Sequence, residues 1–159
     1  MESSRRDRLE SFVALLKNEG RHGVLGLDCG PGADGLHFVQ SGIHFTGVDQ
    51  SEENIHIARS HGLEASVAGP VSLPFADAAF ASVWAVDALA GLPAEQWDDV
   101  VRELGRVAEP GAPIAVVLPA PEPRSSGDPH TSADPRGESE WRGESEWGGE
   151  GFTVLRSPA

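Results

Sequence analysis

Val24-Leu25-Gly26-Leu27-Asp28-Cys29-Gly30-Pro31-Gly32 is a short apolar run that stops in a glycine turn, and its reading decides the fold. Val24 to Leu27 has the length and apolarity of a buried strand. A brief helix follows through Leu36, Phe38 and Val39 and ends near Gly42. Ile43 to Val48 reads as a second strand, and it terminates in Asp49. Glycines let a backbone approach a ligand closely, and the helix behind them offers unpaired N–H groups. An acidic residue closing the next strand is placed to accept hydrogen bonds from ribose hydroxyls. Gly30-Pro31-Gly32-Ala33-Asp34-Gly35 also satisfies the pattern G-x-G-x-x-G, with Asp49 at about the expected distance downstream.

Working outward, the same alternation continues. Leu9, Phe12, Val13 and Leu16 fall at i, i+3, i+4 and i+7 and give an N-terminal helix over Arg5 to Lys17, stopped by Gly20. Ser51 is a good N-cap for a helix with Glu52 and Glu53 in its first turn and Ile55 and Ala58 inward. A third strand is predicted over Glu64 to Ala68 and a fourth over Phe80 to Val86. A helix starting near Pro93 carries Trp97, Val100, Val101, Leu104 and Val107 on one stripe, and Ile114 to Leu118 is a fifth strand. Apolar strands alternating with helices predict an α/β fold: a Rossmann-like, doubly wound, mostly parallel sheet with helices on both faces. Ligands of such sheets bind at the carboxyl ends of the strands.

From residue 119 to 150 no apolar period survives. Arg-Gly-Glu-Ser-Glu-Trp occurs twice in tandem there, ending at Trp141 and Trp147. The segment reads as a flexible Pro/Gly/Glu-rich linker that grew by duplication, or as an element presenting two tryptophans. Phe152 to Arg156 is strand-like again and is expected as an antiparallel edge strand beside the fifth. The expected organisation is therefore an N-terminal helix (1–20) serving as a lid, a core (21–118), the linker (119–150) and the closing strand (151–159).

Composition narrows the partners. The formal charge of the 159 residues is −13 and Lys17 is the sole lysine, so a phosphate backbone is repelled and nucleic acid is disfavoured as a partner. No apolar run approaches the ~20 residues of a membrane span. The N-terminus lacks the apolar middle of a signal peptide, so a cytoplasmic setting is expected. Cys29 is the one cysteine, which excludes an intramolecular disulfide, and the six histidines form no metal-binding pair by spacing. No metal is expected. Oligomeric state is not legible.

Four stretches in order resemble class I S-adenosylmethionine-dependent methyltransferases. Val24 to Gly32 is similar to their first motif, V-L-D-L-G-C-G-P-G, and Phe45 to Ser51 followed by Ala58-Arg59 to their second. Leu73-Pro74-Phe75 with Asp77 and Phe80 resembles the L-P-F-x-D-x-x-F segment. Arg102-Glu103-Leu104 with Arg106-Val107 and Pro110-Gly111 resembles the stretch before the fifth strand. The resemblance implies a methyltransferase using S-adenosylmethionine on a small molecule. It implies that the backbone of Cys29, Gly30 and Gly32 cradles the cofactor, that Asp49 takes the ribose hydroxyls and that Gln50 flanks the adenine. Gly69, Pro70 and Val71 would line its far side, and Trp84 to Asp87 would face the donor methyl and the substrate. Asp87 is the best-placed general base, with His44 a distant second and a solvated strand-end carboxylate as the plainer reading of Asp87.

The chain also departs from the family. The first-motif acid corresponds to Gly26 and its first glycine to Asp28, as though the two had changed places, so that Asp28 either restores a carboxylate or crowds the turn. The third-strand acid is Gly69 here. These departures keep a second reading open, a catalytically inactive interaction module on the same fold. An NAD-binding oxidoreductase rests on the glycine pattern alone.

Overall fold

Helices and strands alternate from the outset: α1 (Glu2–Asn18), β1 (Gly23–Leu27), α2 (Ala33–Gln40), β2 (His44–Asp49), α3 (Glu52–Ser60) and β3 (Glu64–Val67). There follow β4 (Val83–Ala85), α4 (Trp97–Val107), β5 (Pro113–Val117), β6 (Arg142–Gly143) and β7 (Phe152–Arg156). The structure, a computed structural model, describes residues 2–86, 88–89, 92–117, 142–143 and 152–158. Among these, seven strands form one sheet in the order β3-β2-β1-β4-β5-β7-β6. β1 to β5 pair in parallel, and β7 lies antiparallel to β5 with Phe152 opposite Val117 and Arg156 opposite Pro113. The fold is the doubly wound Rossmann-like sheet with an antiparallel edge that the alternation predicts. Its strand order changes direction between β1 and β4, which places the ligand crevice at the carboxyl end of β1.

Successive side chains of a strand point to opposite faces, and here they fill two cores. Val24, Phe45, Trp84, Ala115, Phe152 and Val154 face α1, α2 and α3, meeting Leu9, Phe12, Leu16, Phe38 and Ile55. Leu25, Leu27, Val48, Val83, Ala85, Ile114 and Val116 face the other way and meet Val100, Leu104 and Val107 of α4. Leu9, Phe12, Val13 and Leu16 of the N-terminal helix are therefore buried as a layer of the fold.

The first core turns on Phe45. Its ring lies 3% exposed and nearly parallel to Phe38, centroids 6.1 Å apart. A Cβ built on Gly26 would sit 2.5 Å from Phe45 Cε1, one on Gly35 2.6 Å from Cε2, and one on Gly47 2.8 Å from Cε2. Three missing side chains, on β1, α2 and β2, thus form the socket for one ring. Position 26 has no room for an acid because Phe45 occupies the space.

Several boundaries differ from the sequence reading. β4 is Val83–Ala85, shorter than the expected Phe80 to Val86, because the Phe80 backbone is taken by α4's end: Phe80 N–H donates to Val107 O and Glu109 N–H to Phe80 O. β3 stops at Val67, and β5 runs from Pro113 to Val117. A 3₁₀ turn, Ala94–Gln96, precedes α4. Within the expected linker, Arg142–Gly143 pair with β7 as β6; the rest of it, Trp141 and Trp147 included, lies outside the described residues.

Glu19 joins the two ends of the chain. It accepts from Arg156 Nη1 and Nη2 on β7 and from Arg21 Nε, at 2.6–2.9 Å. The hydrogen bonds from Arg156, then those from Arg21, pull its carboxyl from 4.5 to about 2 against the opposing effect of burial.

Gly26→Ala should lower unfolding stability by about 1–3 kcal/mol through overpacking, and adding Phe45→Leu should recover part of it, both read by urea denaturation. For Glu19 the folded pKa lies below the unfolded one, so its stabilisation is complete above pH 4.5 and is lost as pH falls from there toward about 2. Stability measured across that window should fall less steeply in Glu19→Gln than in the parent chain.

Candidate functional site

β1 and β2 end side by side, with Leu27 opposite Val48, so Asp28, just past β1, and Asp49, the last residue of β2, stand at the same carboxyl edge of the sheet. Between them opens a crevice of about 220 Å³ lined by Leu27, Asp28, Val48, Asp49, Gln50, Ala68, Pro70, Ala88 and Leu92. Whole-ligand sites usually span about 300–1,000 Å³, so this volume suits a nucleoside-sized part of a ligand.

Asp49 is the best-anchored polar group there. At 6% exposure, its Oδ2 accepts from Gly30 N–H and its Oδ1 from Ser51 N–H, both at 2.8 Å. One carboxylate thus joins the glycine turn to the start of α3, where Ser51 Oγ accepts from Asn54 N–H as an N-cap. Each oxygen keeps a lone pair for a ligand hydroxyl. Cys29 N–H donates to Val48 O at 2.9 Å and fixes the turn's first half. Gly32 caps α2 with φ 108°, and a Cβ there would lie 2.6 Å from Leu63 Cδ1; the position demands glycine on both counts.

The wall of the crevice beyond β3 is held from a distance by α4. Arg106 Nη1 donates to Phe75 O (2.7 Å) and Asp77 Oδ1 (3.0 Å), and Nη2 donates to Leu73 O (2.9 Å). Glu103 binds Arg106 Nε at 2.6 Å and also accepts from Leu73 N–H. The Arg106 guanidinium holds the Glu103 carboxyl below its ordinary range, and Glu103 and Asp77 together keep Arg106 charged. The third and fourth sequence stretches are therefore two halves of one clasp.

Residues 24–111 match the methyltransferase domain family. The chain belongs to the class I S-adenosylmethionine-dependent methyltransferases. It is 33% identical over 116 residues to the methyltransferase GfsG of Streptomyces halstedii, covering 67% of this chain and 41% of that one. It is 28% identical over 128 residues to the 27-O-demethylrifamycin SV methyltransferase of Amycolatopsis mediterranei, covering 72% and 45%. A crystal structure of a Pyrococcus horikoshii protein superposes with TM-score 0.72 at 20% identity, covering 98% of this chain and 91% of that one, and so shares the fold. The chain spans less than half the length of the curated relatives it matches.

Within this methyltransferase domain, the residues singled out from sequence fall into three groups. Asp28, Asp49, Gln50 and Pro70 line the crevice. Cys29, Gly30, Gly32 and Gly69 stand beside it: a Cβ on Gly69 would lie 3.4 Å from Gln50 Cδ, and the Cys29 thiol is pushed up to about 11, by burial first and then by the charges of Asp49 and Asp28. Protonated and half-buried, Cys29 is no nucleophile. Val71 is 40% exposed on the loop after Pro70. Trp84 is a correction. Its ring is 3% exposed among Phe12, Phe38 and Phe152, and its Nε1 donates to Asp34 Oδ2 at 2.9 Å, because position 84 of β4 points to the α1 face. Asp87 lies outside the described residues. His44 stands at the opposite, amino end of β2, exposed and 3.2 Å from Glu64 Oε1, away from the crevice.

Leu27, Val48, Ala68, Ala88 and Leu92 also line the crevice, and the sequence reading did not single them out. Their signal was position: Leu27 and Val48 are the last apolar residues of their strands. Among the described residues, none from α1 lines the crevice. Among the described residues no cluster of three or more His, Cys, Asp or Glu is arranged for a metal, and no helix is long and apolar enough to cross a membrane.

Arg106→Ala should leave the sheet folded while loosening residues 69–80. Amide exchange at Leu73 and Ala78 should rise by about tenfold with little change at Val24 and Val48.

Proposed function

We propose that this chain binds S-adenosylmethionine in the crevice and transfers its methyl group to a small molecule. Asp49 carries the reading: a buried carboxylate, oriented by two backbone N–H groups, faces a nucleoside-sized crevice at the switch point of the sheet. The residues present fit such a cofactor. Asp49 offers its remaining lone pairs to the ribose hydroxyls. Gln50, Ala68 and Pro70 flank the adenine, with Gly69 leaving the Gln50 side chain room beside it and Val71 closing the loop. The backbone of Cys29, Gly30 and Gly32 approaches the ribose and methionyl parts closely because neither glycine carries a side chain.

When bound, the cofactor supplies a methyl group on a positively charged sulfur, already activated for transfer. The protein's task is then to hold donor and acceptor in line and to keep water out. Leu27, Val48, Ala68, Ala88 and Leu92 provide the dry wall. Asp87, next after β4 and its turn, is the proposed base for an acceptor that must lose a proton.

A small-molecule acceptor is supported by the relative named for 27-O-demethylrifamycin SV and by this chain's charge of −13, which disfavours nucleic acid. A cytoplasmic setting is part of the same proposal.

Calorimetric titration of the folded chain with S-adenosylmethionine tests this reading. We expect binding in the micromolar range and a loss of at least about tenfold in Asp49→Ala, with circular dichroism confirming that the variant folds. Absence of binding at millimolar cofactor by the folded parent chain would overturn the reading in favour of a non-catalytic module.

A further inference from the structure

We propose that Asp28 sets the charge preference of the crevice, so that the site favours a cofactor whose sulfur is positively charged over the same molecule after its methyl group has left. The inference rests on the cofactor reading above and assigns a selective role to a residue that departs from the family pattern.

Four observations converge on it. First, Asp28 and Asp49 follow the paired residues Leu27 and Val48, so two carboxylates stand at the carboxyl ends of neighbouring strands, and both line the crevice. Second, among the described residues that line the crevice there is no cation. Third, an acid cannot stand at position 26 of β1, because the space beside Gly26 is filled by the Phe45 ring 2.5 Å from where a Cβ would be. Asp28, just past the crevice-lining Leu27, brings a carboxylate to the crevice. Fourth, Asp28 holds φ 57°, a left-handed backbone that glycine adopts freely and that few other residues tolerate. A side chain is kept where the backbone alone would favour none.

The charge of this pair is felt locally. The neighbouring Cys29 thiol is raised by Asp49 and, to a lesser degree, by Asp28, after the larger effect of burial. In a crevice of about 220 Å³, a positive centre bound within it lies inside one Debye length, about 8 Å at physiological ionic strength, of both carboxylates. S-adenosylmethionine and S-adenosylhomocysteine share the ribose, adenine, ammonium and carboxylate and differ in the methyl group and the charge at sulfur. An interaction with that charge therefore separates the two ligands, whereas a contact to any shared part does not. Favouring the charged form also speeds exchange, since the product loses the attraction that held the substrate form.

The experiment is calorimetric titration of the chain with each ligand in turn, for the parent, Asp28→Asn and Asp28→Gly. Asn tolerates the left-handed backbone and keeps the side-chain shape, while Gly removes the side chain at a position where it is at ease, so one variant or both will fold. We expect both variants to bind S-adenosylmethionine about tenfold more weakly and S-adenosylhomocysteine within about threefold of the parent. A parallel loss for both ligands would place Asp28 on a shared part of the cofactor and overturn the proposal. Unchanged binding of both would overturn it too. A folded parent chain that binds neither ligand overturns the cofactor reading itself, which separates that failure from this one.

Discussion

The ring of Phe45 and the three glycines around it constrain much of the first core. Gly26, Gly35 and Gly47 come from a strand, a helix and the neighbouring strand, and each would place a Cβ within 2.8 Å of that ring. Burial of a phenylalanine stabilises a fold by about 1.5–3 kcal/mol, but here the geometric consequence is larger than the energetic one. With the ring in this socket, α2 can approach β1 and β2, and the turn between β1 and α2 is drawn to the sheet edge. The same ring forbids a side chain at position 26. The exchange of glycine and acid between positions 26 and 28 follows from one packing choice: Phe45 takes the inner position, and the carboxylate stands where the chain leaves the sheet.

Two clasps then shape the crevice. Asp49 gathers the Gly30 and Ser51 N–H groups and so fixes the glycine turn relative to α3. Glu103 and Arg106 gather the backbone of Leu73 and Phe75 and so fix the far wall relative to α4. Both clasps spend charged side chains on backbone groups that a loop would otherwise leave to water. The Arg-Glu and Leu-Pro-Phe stretches stand out in the sequence only by their family resemblance. In the fold they are architecture, two ends of one ion-paired clasp that bring Ala68 and Pro70 to the crevice.

The fold was legible because its signals are local. Apolar runs of four to six residues, glycine stops and a serine cap lie within single elements, and Phe152 to Arg156 stood out as strand after a polar stretch. The crevice was half legible, since residues at strand ends, Asp28 and Asp49, are marked by sequence position. Trp84 was misplaced because a three-residue strand gives too few positions to fix which face each side chain takes. Val83 and Ala85 pack on α4's side and Trp84 on the other, a parity that only pairing with Ile114 to Val116 reveals. The Phe45 socket was invisible because Gly26 and Gly35 are 19 and 10 residues away along the chain, and nothing in a lone glycine says what fills its space.

The two carboxylates of the crevice are not equivalent, and their difference divides the work between them. Asp49 is 6% exposed and bonded through both oxygens to backbone donors, so its direction is fixed before any ligand arrives. Asp28 follows the strand in a left-handed conformation and lines the crevice from the turn. An oriented, buried acceptor recognises geometry, as a pair of hydroxyls requires. A carboxylate carried on a turn also acts through its charge, which reaches several ångströms. Under the proposed cofactor reading, Phe45 keeps an acid off position 26 and the turn supplies one from position 28.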